Sequence, residues 1–338
     1  MNRVFLLLWL FTGNLYAQNN ELNLKIDKIL SDTSDTRFNG IVVIKGGKET
    51  LYSKVVGFSN LETKENLKED DRFVIGSISK HFAGALVLQE IDAGRLDPQA
   101  PIRKYLPDLT QKWADTVTAH HLITHLNGIR SLDKPTAFPV GSRYEYSQIG
   151  FELLSRIVEK TSGRNFVDLS SDLFLKVGLK NTSHPLKDSS KVNGYTENEN
   201  GILAYETQSL RNYVAAGAFI SNAEDLLKWN KIFYSGKLFS EKAMKLLTPQ
   251  HSLAIRNHPL FGETKYGYGI TVDTKDGILQ YGQTGFAPGF VSMNFYFPEK
   301  DLSLVILSNV VWDENNLNIS FKYHIAIWNE VRKYISSQ

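Results

Sequence analysis

The chain has 338 residues, 38 Lys plus Arg against 36 Asp plus Glu, and no cysteine. A formal charge of only +2 with no basic block argues against nucleic acid as a partner. The absence of cysteine excludes disulfides, thiolate metal sites, a cysteine nucleophile and a lipid anchor on an N-terminal cysteine.

Arg3 precedes an apolar run from Val4 to Phe11, and Leu15-Tyr16-Ala17 follows. This is the pattern of a secretory signal cleaved after Ala17, and the run is too short to span a bilayer as a helix. Residues 1–17 are therefore expected to be a signal peptide. Residues 18–338 are expected to form one domain, secreted or periplasmic, with no membrane span in the mature chain.

Residues Leu22 to Leu30 carry apolar side chains at helical spacing. Gly40 to Lys45 and Leu51 to Gly57 read as two strands around the turn Gly46-Gly47. A long helix is expected from Ser77 to about Asp92, stopped by Gly94. Leu96 to Pro107 contains three prolines and reads as loop, with Asp92, Asp97 and Asp108 as turn or surface residues. Thr118 to Leu126 reads as a short helix. Gln148 to Thr161 is a clear one, with Leu153, Leu154, Ile157 and Val158 on one face and Gly163 past its end. Ser221-Asn-Ala-Glu224 has the form of a capping box opening another helix. Strand periodicity then takes over at Tyr266–Val272, Ile278–Gln283, Phe290–Phe297 and Leu302–Leu307, and Asn315 to Ile335 reads as a closing helix. Strands at both ends with helices between them predict an α+β architecture: a sheet built from both chain ends, flanking helices and an inserted helical region.

The chemistry concentrates at Gly76-Ser77-Ile78-Ser79-Lys80. Three residues apart at a helix start, Ser77 and Lys80 lie on one face and can touch. A serine hydroxyl becomes a useful nucleophile when a base removes its proton, and a lysine serves when desolvation keeps it neutral. The free N–H groups of a helix N-terminus suit an oxyanion. S-x-x-K alone is a weak signal, equally compatible with a capped surface helix.

Two further segments sharpen it: Tyr144-Glu-Tyr146-Ser-Gln148 ahead of the Leu153 helix, and Tyr281-Gly-Gln-Thr-Gly285-Phe between two strands. With S-x-x-K, this order of elements resembles the family of class C β-lactamases, D,D-peptidases and related esterases. Phrases such as Gly94-Arg-Leu-Asp, Lys104-Tyr-Leu-Pro, His121-Leu-Ile-Thr-His and Tyr266-Gly-Tyr-Gly extend the resemblance from about Phe38 to about Asn309. It implies a β-lactamase-like fold. The implied activity is a serine hydrolase that cleaves an ester, a D-peptide or a β-lactam through an acyl-enzyme, with no cofactor and no metal. Ser77 would be acylated, Lys80 would be its base and Tyr146 would shuttle protons. The N–H groups of Ser77 and Phe286 would form the oxyanion hole. Gln148, Gln283, Thr284, Gly285 and Phe286 would face substrate.

Two positions depart from the family pattern. Gln148 stands for the usual asparagine. Gln283 stands for a lysine or histidine and brings no charge to a substrate carboxylate, which favours uncharged esters over β-lactams. A non-hydrolytic penicillin-binding or sensor protein on the same fold is the alternative. His121 and His125 have zinc-helix spacing without the glutamate of H-E-x-x-H, and are read as structural. His120 is expected to face solvent, and His81 to line the pocket edge or be exposed. Oligomeric state is not legible.

Overall fold

Strand-forming runs from the two ends of the chain pair with each other. In the computed structural model, which describes residues 18–248 and 253–338, eight strands make one antiparallel sheet. They are β1 (Gly40–Gly46), β2 (Glu49–Val56), β3 (Ile255–His258), β4 (Gly262–Tyr266), β5 (Thr271–Asp273), β6 (Gln280–Ala287), β7 (Phe290–Phe297) and β8 (Leu302–Ser308). The order is β2-β1-β8-β7-β6-β5-β4-β3, so β1 from the N-terminal part lies against β8, with Ile41 opposite Leu307.

Period-2 alternation divides the apolar side chains between two layers. Val42, Ile44, Leu304 and Ile306 meet the terminal helices, α1 covering residues 18–30 and a closing helix at Lys322–Ser336, through Leu22, Ile26, Ile327 and Val331. Ile41, Val305 and Leu307 face the inserted helices. Those are α2 (Ser79–Asp92), α3 (Ala119–Ile123), α4 (Gln148–Ser162), α5 (Phe166–Val177) and α6 (Ala223–Tyr234). The fold is the expected α+β arrangement. The expected signal segment, residues 1–17, lies outside the described residues. No helix among the described residues is long and apolar enough to cross a membrane.

Several boundaries differ from the sequence reading for physical reasons. The run Tyr266–Val272 is two strands, because the Gly267 N–H donates to Ile270 O and turns the chain. The run still read as strand because Tyr266, Tyr268 and Ile270 are all buried. Strand β6 does not stop at Gln283. Gly285 pairs with Ser292 and the ladder continues to Ala287, so the third motif lies inside a strand. Asn222, not Ser221, caps α6, accepting from the Asp225 N–H at 3.0 Å, while Ser221 sits in a short strand. Helix α5, capped by Asn165, was not foreseen, and the closing helix is preceded by a separate turn at Leu317–Ser320.

Candidate active site

The first motif is set at a junction between sheet and helix. Gly76–Ile78 form a single 3-10 turn, and α2 begins at Ser79, two residues later than the spacing predicted. Gly76 has φ +52°, and a methyl group there would come within 2.5 Å of Phe286 N. On β6, a Cβ at Gly285 would lie 2.1 Å from Ile75 O. Glycine at both places lets the backbone of β6 lie against the turn that carries Ser77. That contact places Phe286 N against the turn that carries Ser77.

Among Gly76 to Lys80, Ser77 alone is not fully buried. Ser79 is buried and its Oγ accepts from the Phe219 N–H at 3.1 Å, a structural role. Lys80 is completely buried on the first turn of α2. Its ammonium donates to Ala216 O at 2.6 Å and to Ser77 Oγ at 3.3 Å. Tyr146, immediately before the Ser147 cap of α4, donates its hydroxyl to Ser77 Oγ at 2.7 Å. Two proton-exchanging groups thus converge on one serine oxygen.

Electrostatics prepares both of them. Burial drives the Lys80 pKa below that of a free lysine, against the pull of Tyr146 in the other direction. Burial also resists ionisation of Tyr146, but the charges of Lys80 and Arg256 outweigh it and hold the phenol below its ordinary value. Arg256 was not identified from the sequence. It lies on β3, with its guanidinium carbon 4.7 Å from the Tyr146 ring centroid. The His125 ring centroid lies 4.4 Å from that of the same ring, and His125 Nδ1 accepts the Ser147 N–H at 3.1 Å. Desolvation keeps His125 neutral.

The remaining predicted residues divide. Gln148, the first residue of α4, is exposed and lines the same cleft as Tyr146, together with Leu210 and Tyr213. Gln283 is buried and its amide is spent inside the protein. Its Oε1 accepts from Arg256 Nη1 at 3.3 Å and from Thr271 Oγ1 at 3.0 Å, and its Nε2 donates to Tyr266 OH at 3.2 Å. It bears on the site through Arg256 rather than facing substrate. Arg256 thus places a cation beside position 283, where the sequence shows only a neutral amide. Thr284 Oγ1 lies 3.2 Å from His258 Nε2, while His258 Nδ1 accepts the Leu260 N–H, so Nε2 carries the proton and donates to the threonine. Gly285 and Phe286 contribute backbone, and the Phe286 ring leans toward Phe321.

Two histidines sit elsewhere than expected. His120 is buried and contacts Tyr268 OH through Nδ1 at 2.9 Å; His81 is buried and stacks on Phe233. His121 Nδ1 takes part in the Thr118 capping box. Among the described residues no group of three or more His, Asp, Glu or Cys is placed to hold a metal ion.

Glu152, one turn into α4, also went unnoticed. The Ala216 N–H faces its carboxyl, Lys80 takes the Ala216 carbonyl, and Glu152 Oε1 is buried with no hydrogen-bond partner. Burial raises its pKa from 4.5 to about 7, against the pull of Lys80. Between those values the folded protein keeps a proton that the unfolded chain has lost. Stability therefore falls as pH rises through this window and levels off above about pH 7. Glu152→Gln is expected to be more stable than wild type at pH 8, by about 3 kcal/mol, and nearly equal to it at pH 4.5. Urea unfolding at the two pH values measures the difference, and an equal effect at both would place the acid's ionisation outside the folding equilibrium.

A serine flanked by a desolvated lysine and a charge-stabilised tyrosine is the arrangement of a serine hydrolase. The chain belongs to the beta-lactamase family, whose model matches residues 26–316. The teichoic acid D-alanine hydrolase of Staphylococcus aureus (strain MRSA252) is 23% identical over 326 residues, covering 89% of this chain and 76% of that protein. Among solved structures, the D-amino acid amidase of Ochrobactrum anthropi SV3 superposes with a TM-score of 0.79 at 19% identity, covering 93% of this chain and 99% of that one. A penicillin binding protein from Bacillus halodurans does so with a TM-score of 0.74 at 23% identity, covering 90% and 97%.

Proposed function

We propose that the protein is exported and hydrolyses an ester or amide of a small acyl group through an acyl-enzyme on Ser77. The observation that carries this reading is the convergence of Tyr146 OH and Lys80 Nζ on Ser77 Oγ, at 2.7 and 3.3 Å. The Tyr146–Lys80 pair takes the serine proton as Oγ bonds to the carbonyl carbon. The carbonyl oxygen gains the negative charge and points at the N–H groups of Ser77 and Phe286. Collapse expels the alcohol or amine, which recovers the proton from Tyr146. A water molecule then repeats the sequence and releases the acid. Similarity to a D-alanine hydrolase and a D-amino acid amidase supports a D-aminoacyl group as the acyl part. Export rests on the N-terminal pattern, and sequencing the exported protein is expected to start at Gln18.

The test is covalent labelling. A fluorophosphonate is expected to add once to the intact protein, with peptide mapping to Ser77, and Ser77→Ala should abolish both label and turnover. A label on any other serine would sink the assignment. Penicillin should give the same single adduct, and its lifetime separates turnover from simple capture.

A further inference from the structure

Beyond the catalytic cleft, on the side where β6 ends at Ala287, lies a second open cleft of about 490 Å³. Leu210 forms part of the wall of both. The second cleft is lined by Lys191, Arg211, Tyr205, Ser209 and Phe290, among others. Two cations therefore face one space. Burial first, and the charge of Arg211 second, lower the Lys191 pKa. Asp188, near Lys191 in sequence, is already paired with Arg72. Glu206, also in the wall, is oriented by neutral donors, Oε2 accepting from Thr196 Oγ1 at 2.9 Å and Oε1 from the Gln208 N–H at 2.7 Å, and it leaves the cleft lining one net positive charge. The Lys191 ammonium rests 5.2 Å from the Phe290 ring centroid. Two cations against one carboxylate leave the cleft net positive, and a bound oxyanion can take hydrogen bonds from both cations.

We propose that this cleft is an oxyanion subsite, in which Lys191 and Arg211 hold a phosphate or carboxylate carried on one arm of the substrate whose scissile carbonyl lies at Ser77. The proposal rests on the hydrolase reading above, since it is the substrate of that reaction that spans both clefts. Arg256 and Thr284 lie before Phe286 along the β6 side of the site, and Lys191 and Arg211 lie beyond it. A substrate centred on the Ser77 and Phe286 N–H groups therefore meets fixed cations on both flanks. Tyr205, half exposed, offers flat apolar surface to the part of the arm between carbonyl and anion.

The test has a binding arm and a kinetic arm, each on the full protein, on Lys191→Gln, on Arg211→Gln and on the double variant, with melting curves to confirm folding. In the binding arm, glycerol 3-phosphate and glutarate are titrated separately and followed by ligand-observed NMR. Wild type should perturb one or both, the probe that binds identifying phosphate or carboxylate as the anion, and the double variant should perturb neither. In the kinetic arm, kcat/KM is compared for p-nitrophenyl butyrate, mono-p-nitrophenyl glutarate and 4-acetoxyphenyl phosphate. The ratio of the preferred anionic ester to the neutral one should fall about tenfold for each cation removed. Wild type that perturbs neither probe, or a double variant that binds as wild type does, would overturn the subsite. Absence of turnover on every ester would instead count against the hydrolase reading, and the NMR titration would still decide whether the cleft binds an oxyanion.

Discussion

Tyr146→Phe is expected to lower ester turnover by about a hundredfold or more while leaving the far-ultraviolet circular dichroism unchanged. The substitution removes the hydroxyl that donates to Ser77 Oγ at 2.7 Å, and the ring that packs against His125 remains. Lys80→Ala should cost as much activity for a second reason. It removes the group 3.3 Å from Ser77 Oγ and one of the charges that hold the Tyr146 phenol below its ordinary value. It also strips Ala216 O of the lysine in a buried setting, so this variant should melt several degrees lower as well. The pH profile separates the roles. In wild type the rate should rise as the tyrosine–lysine pair gives up its proton, below the pH at which a free tyrosine ionises. Near-normal turnover by Tyr146→Phe would take the tyrosine out of the mechanism and leave Lys80 as the sole base.

The second large effect concerns Arg256, which reaches Tyr146 from a strand that carries none of the three motifs. Arg256→Gln removes a charge that favours the phenolate. One unit of pKa corresponds to about 1.4 kcal/mol, so a shift of that size lowers the reactive fraction about tenfold at neutral pH. The rising limb of the pH profile should move upward by a similar amount, and the rate on the new plateau should be largely restored. Gln283→Lys, the substitution that would regenerate the family's third motif, should fail to improve any substrate. Gln283 Oε1 accepts from Arg256, so an ammonium there would face the guanidinium inside a buried network that includes Thr271 and Tyr266. Ester kcat/KM is expected to fall about tenfold, and the melting temperature to fall with it. A gain in rate for carboxylate-bearing substrates would show that Arg256 can be displaced and that position 283 meets substrate after all.

Glu152 links these two effects. Its carboxyl faces the Ala216 N–H while Lys80 holds the Ala216 carbonyl. As it ionises near pH 7 it favours the ammonium form of Lys80, so the lysine is a poorer base when the acid is charged. Glu152→Gln, which cannot ionise, should retain more of its activity between pH 7 and 8 than wild type does, relative to each protein's own maximum.

The sequence alone determined what depends on short spacing. Ser77 and Lys80 are three residues apart, so any helix start there brings them together. The apolar faces of α4 and β7 follow from their own periods of 3.6 and 2, and Gly163 ends α4 in the left-handed conformation it favours. Tyr146 and the β6 segment entered through the order of motifs rather than through geometry. Tertiary structure decided how those segments use one another. Whether Gln283 meets substrate or a partner depends on Arg256, 27 residues away on the edge strand β3 of the same sheet. Whether Glu152 behaves as an ordinary surface acid depends on the Ala216 backbone arriving from another part of the chain. His120 and His81 look polar in sequence, yet they are covered by Tyr268 and Phe233, residues more than a hundred positions distant. A local pattern sets where a side chain starts, but its charge and its partners depend on what the rest of the chain removes from water around it, and that is settled only when the layers close.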